Sequence, residues 1–303
     1  MNTCYAAKTP FAILMAGLGM LSALPAHALV IDGLSGQATA QAGTNVAVNQ
    51  GPFTSTTNLF VNASDSDPMS YANADAFGYA QGPYRASASG NGIFDSTGRF
   101  TRTWDITNDS GVAQDYSFTF FIYYGGMSAS DNGAGGTGYA EYAVDIRRDG
   151  ATSLFSSTAK IASDGTLTTT GTILDGASQF GSQYNWGGTY FTVNLGTLNV
   201  GQSTSVAYDL VSHAFGNYGF TDCGSGYGGG YGDGDFIAPL EIPRGSNQCT
   251  GISSSSLGDP DQLNATPIQG IGIFARNAVP EPGTLGLLGL GGLAALGLRR
   301  RRR

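Results

Sequence analysis

The chain has 303 residues, with 14 Lys and Arg against 22 Asp and Glu, a formal net charge of −8 and only 12% charged residues. This acidic balance argues against nucleic acid or an anionic membrane surface as a partner, because both would repel the chain. The 47 glycines, together with the lack of helical periodicity between residues 29 and 278, favour short strands joined by turns.

The first 28 residues have the pattern of a secretory signal peptide. Lys8 supplies a positive charge, residues 11–24 form an apolar run, and Ala26 and Ala28 complete a small-residue cleavage site. We therefore expect export through the Sec pathway, cleavage after Ala28 and a mature chain that begins at Leu29. The exported body then comprises residues 29–278, which is enough for one large β domain or two small ones.

Residues 29–95 give the weakest structural signal in the body. They are rich in Ala, Ser, Thr, Asn and Gly, and small and polar side chains alternate only weakly. Such residues suit closely packed or edge strands, whereas the polar stretch at 49–70 is also typical of disorder. The sequence leaves open a looser N-terminal part of the body over residues 29–95.

Stronger alternation begins at residue 100. Residues 100–106 and 115–124 predict two strands, and the polar residues at 108–111 predict a turn that returns the second strand against the first. Five large side chains share one face of the second strand: Tyr116, Phe118, Phe120, Ile122 and Tyr124. Residues 140–146 show a similar face, and the Asp-Gly pair at 149–150 predicts a hairpin.

The remaining segments complete an all-β pattern. Strands are predicted at 191–195, 203–212 and 268–275, while residues 213–266 look irregular and include a serine run at 253–256. We therefore predict an antiparallel β-sandwich. The runs 104–111 and 195–203 resemble the strand-and-turn pattern of bacterial surface immunoglobulin-like domains, and a jelly roll would give the same pattern.

The exported body contains two cysteines, Cys223 and Cys249, because Cys4 lies in the signal peptide. A cysteine pair in an exported protein predicts a disulfide, which is worth roughly 3–4 kcal/mol in the chain-entropy model. A metal site is the alternative, but the body has a single histidine, His213, to complete one.

The C-terminal residues 279–303 have three parts in a fixed order. A short motif comes first: Val279, Pro280, Glu281 and Pro282. Residues 283–298 are uncharged and apolar, and as a helix they would span roughly 24 Å, against a hydrocarbon core of about 30 Å. A basic cluster follows: Arg299, Arg300, Arg301, Arg302 and Arg303. The positive-inside rule places these arginines in the cytoplasm and the body on the far side of the membrane.

This tail resembles the PEP-CTERM sorting signal of Gram-negative bacteria. The resemblance implies that exosortase, a membrane protease and transpeptidase, cuts near the motif and releases or transfers the exported protein. It implies a body that is anchored to the inner membrane from the periplasm before it reaches the cell surface or the extracellular space, and it links the chain to producers of exopolysaccharide and biofilm. An ordinary tail anchor is the alternative, although such an anchor needs no proline motif and usually has a longer apolar run.

Two features of the body suggest ligands. Tyr184, Trp186 and Tyr190 lie where a loop enters a strand, and exposed rings there would stack on sugars, although core packing is the commoner role. Asp233 and Asp235 offer the oxygen ligands that calcium prefers, but they complete no calcium motif, and Asp-Gly pairs are mostly turns. We expect no cofactor, with calcium at these two aspartates as the alternative.

Catalytic patterns are weak. His213 follows Ser212, but no local spacing demonstrates a Ser-His-Asp triad. A glycosidase needs two carboxylates roughly 5–10 Å apart, and the only glutamates of the body are Glu141 and Glu241. We therefore predict a non-enzymatic exported surface or matrix protein. A carbohydrate-binding module is the first alternative, and a secreted glycan-active hydrolase is the second.

Overall fold

Every regular element in the described part of the chain is a β-strand. The computed structural model describes residues 28–80, 82–222, 248–258 and 272–276, and these contain nineteen strands. In chain order the strands are β1 Ala28–Ala42, β2 Val48–Ser55, β3 Asn58–Ser66, β4 Tyr71–Tyr79, β5 Tyr84–Asn91, β6 Ile93–Asn108, β7 Gln114–Ile122, β8 Gly125–Ser130, β9 Gly136–Arg148, β10 Thr152–Ala162, β11 Leu167–Gly171, β12 Ser178–Phe180, β13 Gln183–Trp186, β14 Thr189–Leu198, β15 Ser203–Tyr218, β16 Phe220–Asp222, β17 Gln248–Thr250, β18 Ile252–Gly258 and β19 Gly272–Arg276.

All pairings between these strands are antiparallel, which confirms the predicted all-β antiparallel class. No helix that is long and apolar enough to cross a membrane occurs in the described ranges. The predicted helix at 283–298, the rest of the C-terminal segment and the signal peptide before Ala28 lie outside those ranges.

Two seven-stranded sheets face each other. Sheet 1 has the order β11-β10-β9-β15-β6-β1-β2, and sheet 2 has the order β12-β13-β8-β18-β5-β4-β3. Strands β1, β6 and β15 of sheet 1 contact β4, β5 and β18 of sheet 2, so the architecture is consistent with the predicted sandwich. A three-stranded sheet 3, with the order β14-β7-β19, and a two-stranded ribbon, β16-β17, complete the described structure.

Small residues let the two sheets approach closely. Gly98 of β6 lies against the backbone of sheet 2, where a methyl group would lie 2.5 Å from the carbonyl oxygen of Ser87. Buried alanines dominate the surrounding interface: Ala38, Ala40, Ala72, Ala74, Ala76, Ala86 and Ala88. The small residues of this part of the chain therefore pack closely between the two sheets, and the division of the body at residue 95 stays a prediction.

Aromatic side chains fill the core between sheet 3 and sheet 1. The Phe120 ring of β7 lies 5.1 to 5.5 Å, between ring centroids, from four other rings: Phe118, Phe155, Phe191 and Tyr208. Trp104 of β6 is also buried and lies 4.7 Å from Phe118. The predicted apolar face of 115–124 is thus confirmed up to Ile122, while Tyr124 lies after the strand and is exposed.

The β9–β10 hairpin forms as predicted. Its turn residues, Asp149 and Gly150, have φ angles of 52° and 69°. Positive φ at both central positions is what a type I′ turn requires, and Asp and Gly are among the residues that adopt it most readily. The hairpin could therefore be predicted from its two turn residues, without tertiary information.

The expected hairpin between residues 100–106 and 115–124 does not form. Strand β6 pairs with β1 and β15 in sheet 1, whereas β7 pairs with β14 and β19 in sheet 3. The Asn108 side chain donates hydrogen bonds to the carbonyl oxygens of Val112 and Leu198, at 2.9 and 2.8 Å, where the chain leaves sheet 1. Local turn residues indicate where a strand ends, but they do not determine which strand it pairs with next.

The serine run at 253–256, expected to be irregular, lies in the middle of sheet 2. It forms most of β18, between β8 and β5. Ser253 is buried, and its hydroxyl lies 2.6 Å from the hydroxyl of Tyr218. Serine has a weak strand preference, but its small size suits a closely packed sheet and its hydroxyl finds a partner there. The predicted closing strand at 268–275 is present as β19, Gly272–Arg276, and residues 268–271 lie outside the described residues.

Candidate functional site

The three aromatic residues expected to form a sugar platform do not form one together. Tyr184 and Trp186 lie on the inward-facing side of β13, and each is only 3% exposed. The Trp186 Nε1 group donates to the carbonyl oxygen of Tyr123 at 3.0 Å, and burial raises the pKa of the Tyr184 hydroxyl. Tyr190 is 52% exposed and packs 4.5 Å from the Phe121 ring. Two of the three rings therefore belong to the core, since alternation along a short strand turns them inward.

His213 and Ser212 point to opposite faces of β15, because consecutive residues of a strand alternate. The Ser212 hydroxyl is buried and donates to the carbonyl oxygen of Ala86 at 2.8 Å. On the outer face, His213 Nε2 lies 2.9 Å from a carboxylate oxygen of Asp95. The imagined Ser-His pair is therefore not brought together.

A small recess adjoins His213 on the outer face of sheet 1. Its volume is about 120 Å³, and Thr97 and Glu141 are among its lining residues. Small-molecule sites usually enclose about 300–1,000 Å³, so this recess is small for a substrate. The second glutamate of the body, Glu241, lies outside the described residues.

Charged side chains concentrate on this outer face of sheet 1. Arg99 Nε donates to Asp209 at 3.0 Å, and this pairing raises the pKa of the guanidinium. Asp145, directly opposite Asp209 on β9, accepts from Arg147 Nε at 2.5 Å. Asp209 and Asp145 on this face are thus each matched by an arginine on a nearby strand position. Within the described ranges, no group of three His, Cys, Asp or Glu is placed to hold a metal ion, and Asp233 and Asp235 lie outside those ranges.

The outer face of sheet 2 has a different chemistry. One residue from each of its seven strands lies in register across the sheet: Phe180, Gln183, Ser128, Ser254, Ser89, Asn73 and Ser64. We call this set the polar row. None of its members is buried, and Phe180 at one end is 84% exposed. The row is a continuous, uncharged strip that is accessible along its whole length.

The polar row combines fixed and available hydrogen-bonding groups. The hydroxyls of Ser128 and Ser254 lie 3.1 Å apart, and Asn62 Nδ2 donates to Asn73 Oδ1 at 3.1 Å. The side chains of Ser64, Ser89 and Gln183 make no hydrogen bond within the part of the chain that the structure describes. These three residues can donate to or accept from a ligand without breaking a bond in the protein.

One ion pair lies beside the polar row. Arg85 Nη2 lies 3.0 Å from Asp75 Oδ1, and the Ser87 hydroxyl donates to the second Asp75 oxygen at 2.6 Å. They are the only charged side chains on the outer face of sheet 2 in the described strands, and they neutralise each other. Next to this pair, at the β3 edge, Phe60 is 66% exposed and packs against Phe77, with ring centroids 6.4 Å apart.

Sequence reasoning missed this surface because its residues are spread between positions 64 and 254. Only strand pairing places them side by side. The available signal was the alternation of alanine with serine or asparagine in β4 and β5, which puts small residues on the inner face and hydrogen-bonding residues on the outer one.

Cys249 is disulfide-bonded and lies in the β16–β17 ribbon. In this ribbon Asp222 pairs with Gln248, the residue before Cys249. The predicted partner, Cys223, directly follows Asp222 and lies outside the described residues. The pairing of Cys223 with Cys249 stays a prediction, and the ribbon supports it by holding their chain neighbours together.

The end of the folded body lies close to the sorting segment. Strand β19 pairs with β7, with Arg276 opposite Asp115. A family model described as the PEP-CTERM protein-sorting motif matches residues 278–302. The chain therefore carries a PEP-CTERM motif, which implies export and membrane-anchored sorting by an exosortase, and the body has no family assignment. No curated protein and no solved structure matches the chain.

Proposed function

We propose that the chain is an exported cell-surface or extracellular-matrix protein that has no catalytic activity and needs no cofactor. In this proposal the signal peptide ends at Ala28, the body folds in the periplasm, and residues 283–298 hold it to the inner membrane. An exosortase-type protease then cuts near Val279–Pro282, and the mature body leaves for the cell surface or the extracellular space, in a setting of exopolysaccharide or biofilm.

The observation that carries this proposal is the sorting motif at 278–302 immediately after the last described strand. Only residue 277 separates β19 from the matched segment. A protease that acts at the motif must therefore work close to the edge of sheet 3. The sorting segment, which includes the anchor, begins one residue after the hydrogen-bonded strand β19. The separation of Ser212 from His213 removes one arrangement for nucleophilic catalysis, because a nucleophile and its base must lie within hydrogen-bonding reach.

The test is the intact mass of the chain recovered from cells with and without exosortase. We expect the mature protein to lack the arginine cluster only when exosortase is present, and to begin at Leu29 in both. A matched pair of variants isolates the motif: replacing Pro280 and Pro282 by alanine should block the loss of the tail. Replacing Asn277, which lies outside the matched segment, by serine should leave the processing unchanged. Retention of the tail in cells that contain exosortase would reject processing and favour an ordinary tail anchor.

A carbohydrate-binding module is the second candidate, favoured by the uncharged outer face of sheet 2. The glycan-active hydrolase has weaker support, since Glu141 lies on a face whose recess is small. Release of reducing sugars from polysaccharides by the purified chain, lost in Glu141→Gln, would reject the non-catalytic proposal.

A further inference from the structure

We propose that the polar row of sheet 2 binds an uncharged polysaccharide chain that lies across the strands. This inference adds a ligand class to the proposed extracellular role. It rests on the proposed function in one respect: the body must be exported to meet such a ligand. Binding itself is a property of the folded sheet, so it can be measured independently of sorting.

The first argument is the hydrogen-bonding chemistry of the row. Sugar hydroxyls are both donors and acceptors, and they are matched best by hydroxyl and amide side chains that have the same double capacity. Ser64, Ser89 and Gln183 offer such groups without partners among the described residues. Neighbouring strands are about 4.8 Å apart, so seven strands present the row over about 29 Å. An extended chain of several sugar units can contact this length, whereas a single small molecule cannot.

The second argument is the placement of aromatic rings at both ends of sheet 2. Phe180 lies at the β12 end, and at the opposite edge Phe60 packs against Phe77, which in turn packs 4.9 Å from Tyr79. Single exposed apolar residues are ordinary on protein surfaces. Phe180 belongs to the row itself, whereas Phe60 and Phe77 lie four residues along β3 and β4 from Ser64 and Asn73, about 13 Å from the row. A sugar ring can stack its apolar face on Phe180, while the hydroxyls of the following sugar units face the polar side chains of the row.

The third argument is charge. The chain as a whole carries a net charge of −8, which repels acidic polysaccharides. The charged side chains of the outer face of sheet 2 are Asp75 and Arg85, which form an ion pair of 3.0 Å, so this face has no net charge to attract an ionic ligand. The outer face of sheet 1 is the opposite case, with ion pairs such as Arg99–Asp209. The ligand that fits the polar row is therefore a neutral one.

The fourth argument is preorganisation. Every member of the row lies on a strand hydrogen-bonded to its neighbours, so the backbone is ordered before the ligand arrives and little conformational entropy is lost on binding. Beside the row, Asp75 is held by Arg85 and Ser87. A repeated ligand can therefore gain several modest contacts without rearranging the protein.

The experiment is affinity electrophoresis of the full chain in non-ionic detergent. Native gels are cast with dextran, hydroxyethyl cellulose or galactomannan as uncharged polysaccharides, and with alginate as an acidic one. The test variant combines Phe180→Ala with Gln183→Ala. The matched control combines Ile173→Ala, which removes another exposed apolar side chain that lies off the row, with Gln37→Ala on the outer face of sheet 1. Thermal unfolding measured by circular dichroism verifies that both variants keep the fold.

We expect at least one uncharged polysaccharide to retard the wild-type chain, the test variant to bind at least tenfold more weakly, and the control to bind like wild type. Three results would overturn the inference: no retardation by any of the three uncharged polysaccharides, stronger retardation by alginate, or unchanged binding by the test variant. A dimer in sedimentation that the test variant abolishes would assign the face to a second copy of the chain, and would also overturn it. None of these results bears on exosortase processing, which intact mass decides separately.

Discussion

Gly98 is a position where the close approach of the two sheets leaves no room for one added methyl group. A side chain at Gly98→Ala would lie 2.5 Å from the carbonyl oxygen of Ser87 and closer still to that of Asp75. Both obstacles are backbone atoms of sheet 2, so no side-chain rotation relieves them. The φ angle of Gly98 is not positive, and the predicted effect therefore comes from packing and not from backbone strain.

The magnitude follows from the distance the sheets must separate. Ordinary van der Waals contact begins at 3.4 Å, so the sheets would have to move apart by about 0.9 Å around Ser87. A gap of about 0.5–1 Å already loses a quarter to a half of the energy of each dispersion contact. Overpacking lowers the free energy of unfolding by about 1–3 kcal/mol. Gly98→Ala should lie at the upper end of this range, because the obstructing atoms belong to the backbone of sheet 2 and cannot rotate away. Replacing glycine by alanine returns about 0.4–1 kcal/mol by restricting the unfolded chain. The net loss is about 2 kcal/mol.

The assay is thermal unfolding of the purified chain followed by circular dichroism. A loss of about 2 kcal/mol corresponds to a fall in Tm of about 4–8 °C for a domain of this size. Gly111→Ala is the matched control, because a methyl group there meets nothing within 4 Å, and its Tm should stay within about 2 °C of wild type. A Tm for Gly98→Ala that equals the control would refute the close approach of the two sheets.

Three further predictions concern the aromatic core, a turn and the ribbon. Phe120→Ala removes a fully buried ring that packs against four others and should cost about 3–5 kcal/mol in denaturant unfolding. The pKa of Asp149 lies below its usual value of 3.8, chiefly because the backbone N–H of Ser205 donates to its carboxylate. Asp149→Asn should therefore lower the free energy of unfolding at neutral pH, and the difference from wild type should vanish as the pH falls through the depressed pKa. Alkylation of the unreduced, denatured mature protein should label neither Cys223 nor Cys249.

Each of these predictions has a control and a contrary outcome. Phe53→Ala, at a half-exposed ring, should change stability by less than about 1 kcal/mol, and an equal effect at both phenylalanines would contradict the assigned core. For Asp149, a stability difference from Asp149→Asn that persists unchanged at acid pH would show that the carboxylate charge is not responsible. Labelling of Cys249 before reduction would contradict the predicted disulfide, because only a free thiol is alkylated.

Local chemistry allowed several elements to be predicted from the sequence. The Asp149-Gly150 hairpin was readable because positive φ is a property of the turn residues themselves. The buried face of β7 was readable because alternation has a period of two in any strand. The three-part tail at 279–303 was readable because sorting signals are recognised as linear sequence, and a family model matches residues 278–302.

Other features depended on which strands pair. Residues 100–106 and 115–124 predicted a hairpin and instead lie in different sheets, because pairing is decided by packing across the whole core. The side chains of Tyr184 and Trp186 face the core for the same reason, because the orientation of the four-residue strand β13 is set by the strands that pair with it. The serine run at 253–256 became a central strand because close sheet packing favours small side chains.

The sequence by itself determined that this protein is exported, acidic, all-β and sorted through its C-terminal motif, since each of these properties is carried by composition, by alternation or by a contiguous segment. Only the tertiary structure decided where its surfaces lie. Charged side chains concentrate on the outer face of sheet 1, and an uncharged polar row runs across sheet 2. The row forms because seven strands are brought into register by hydrogen bonds that no local pattern specifies.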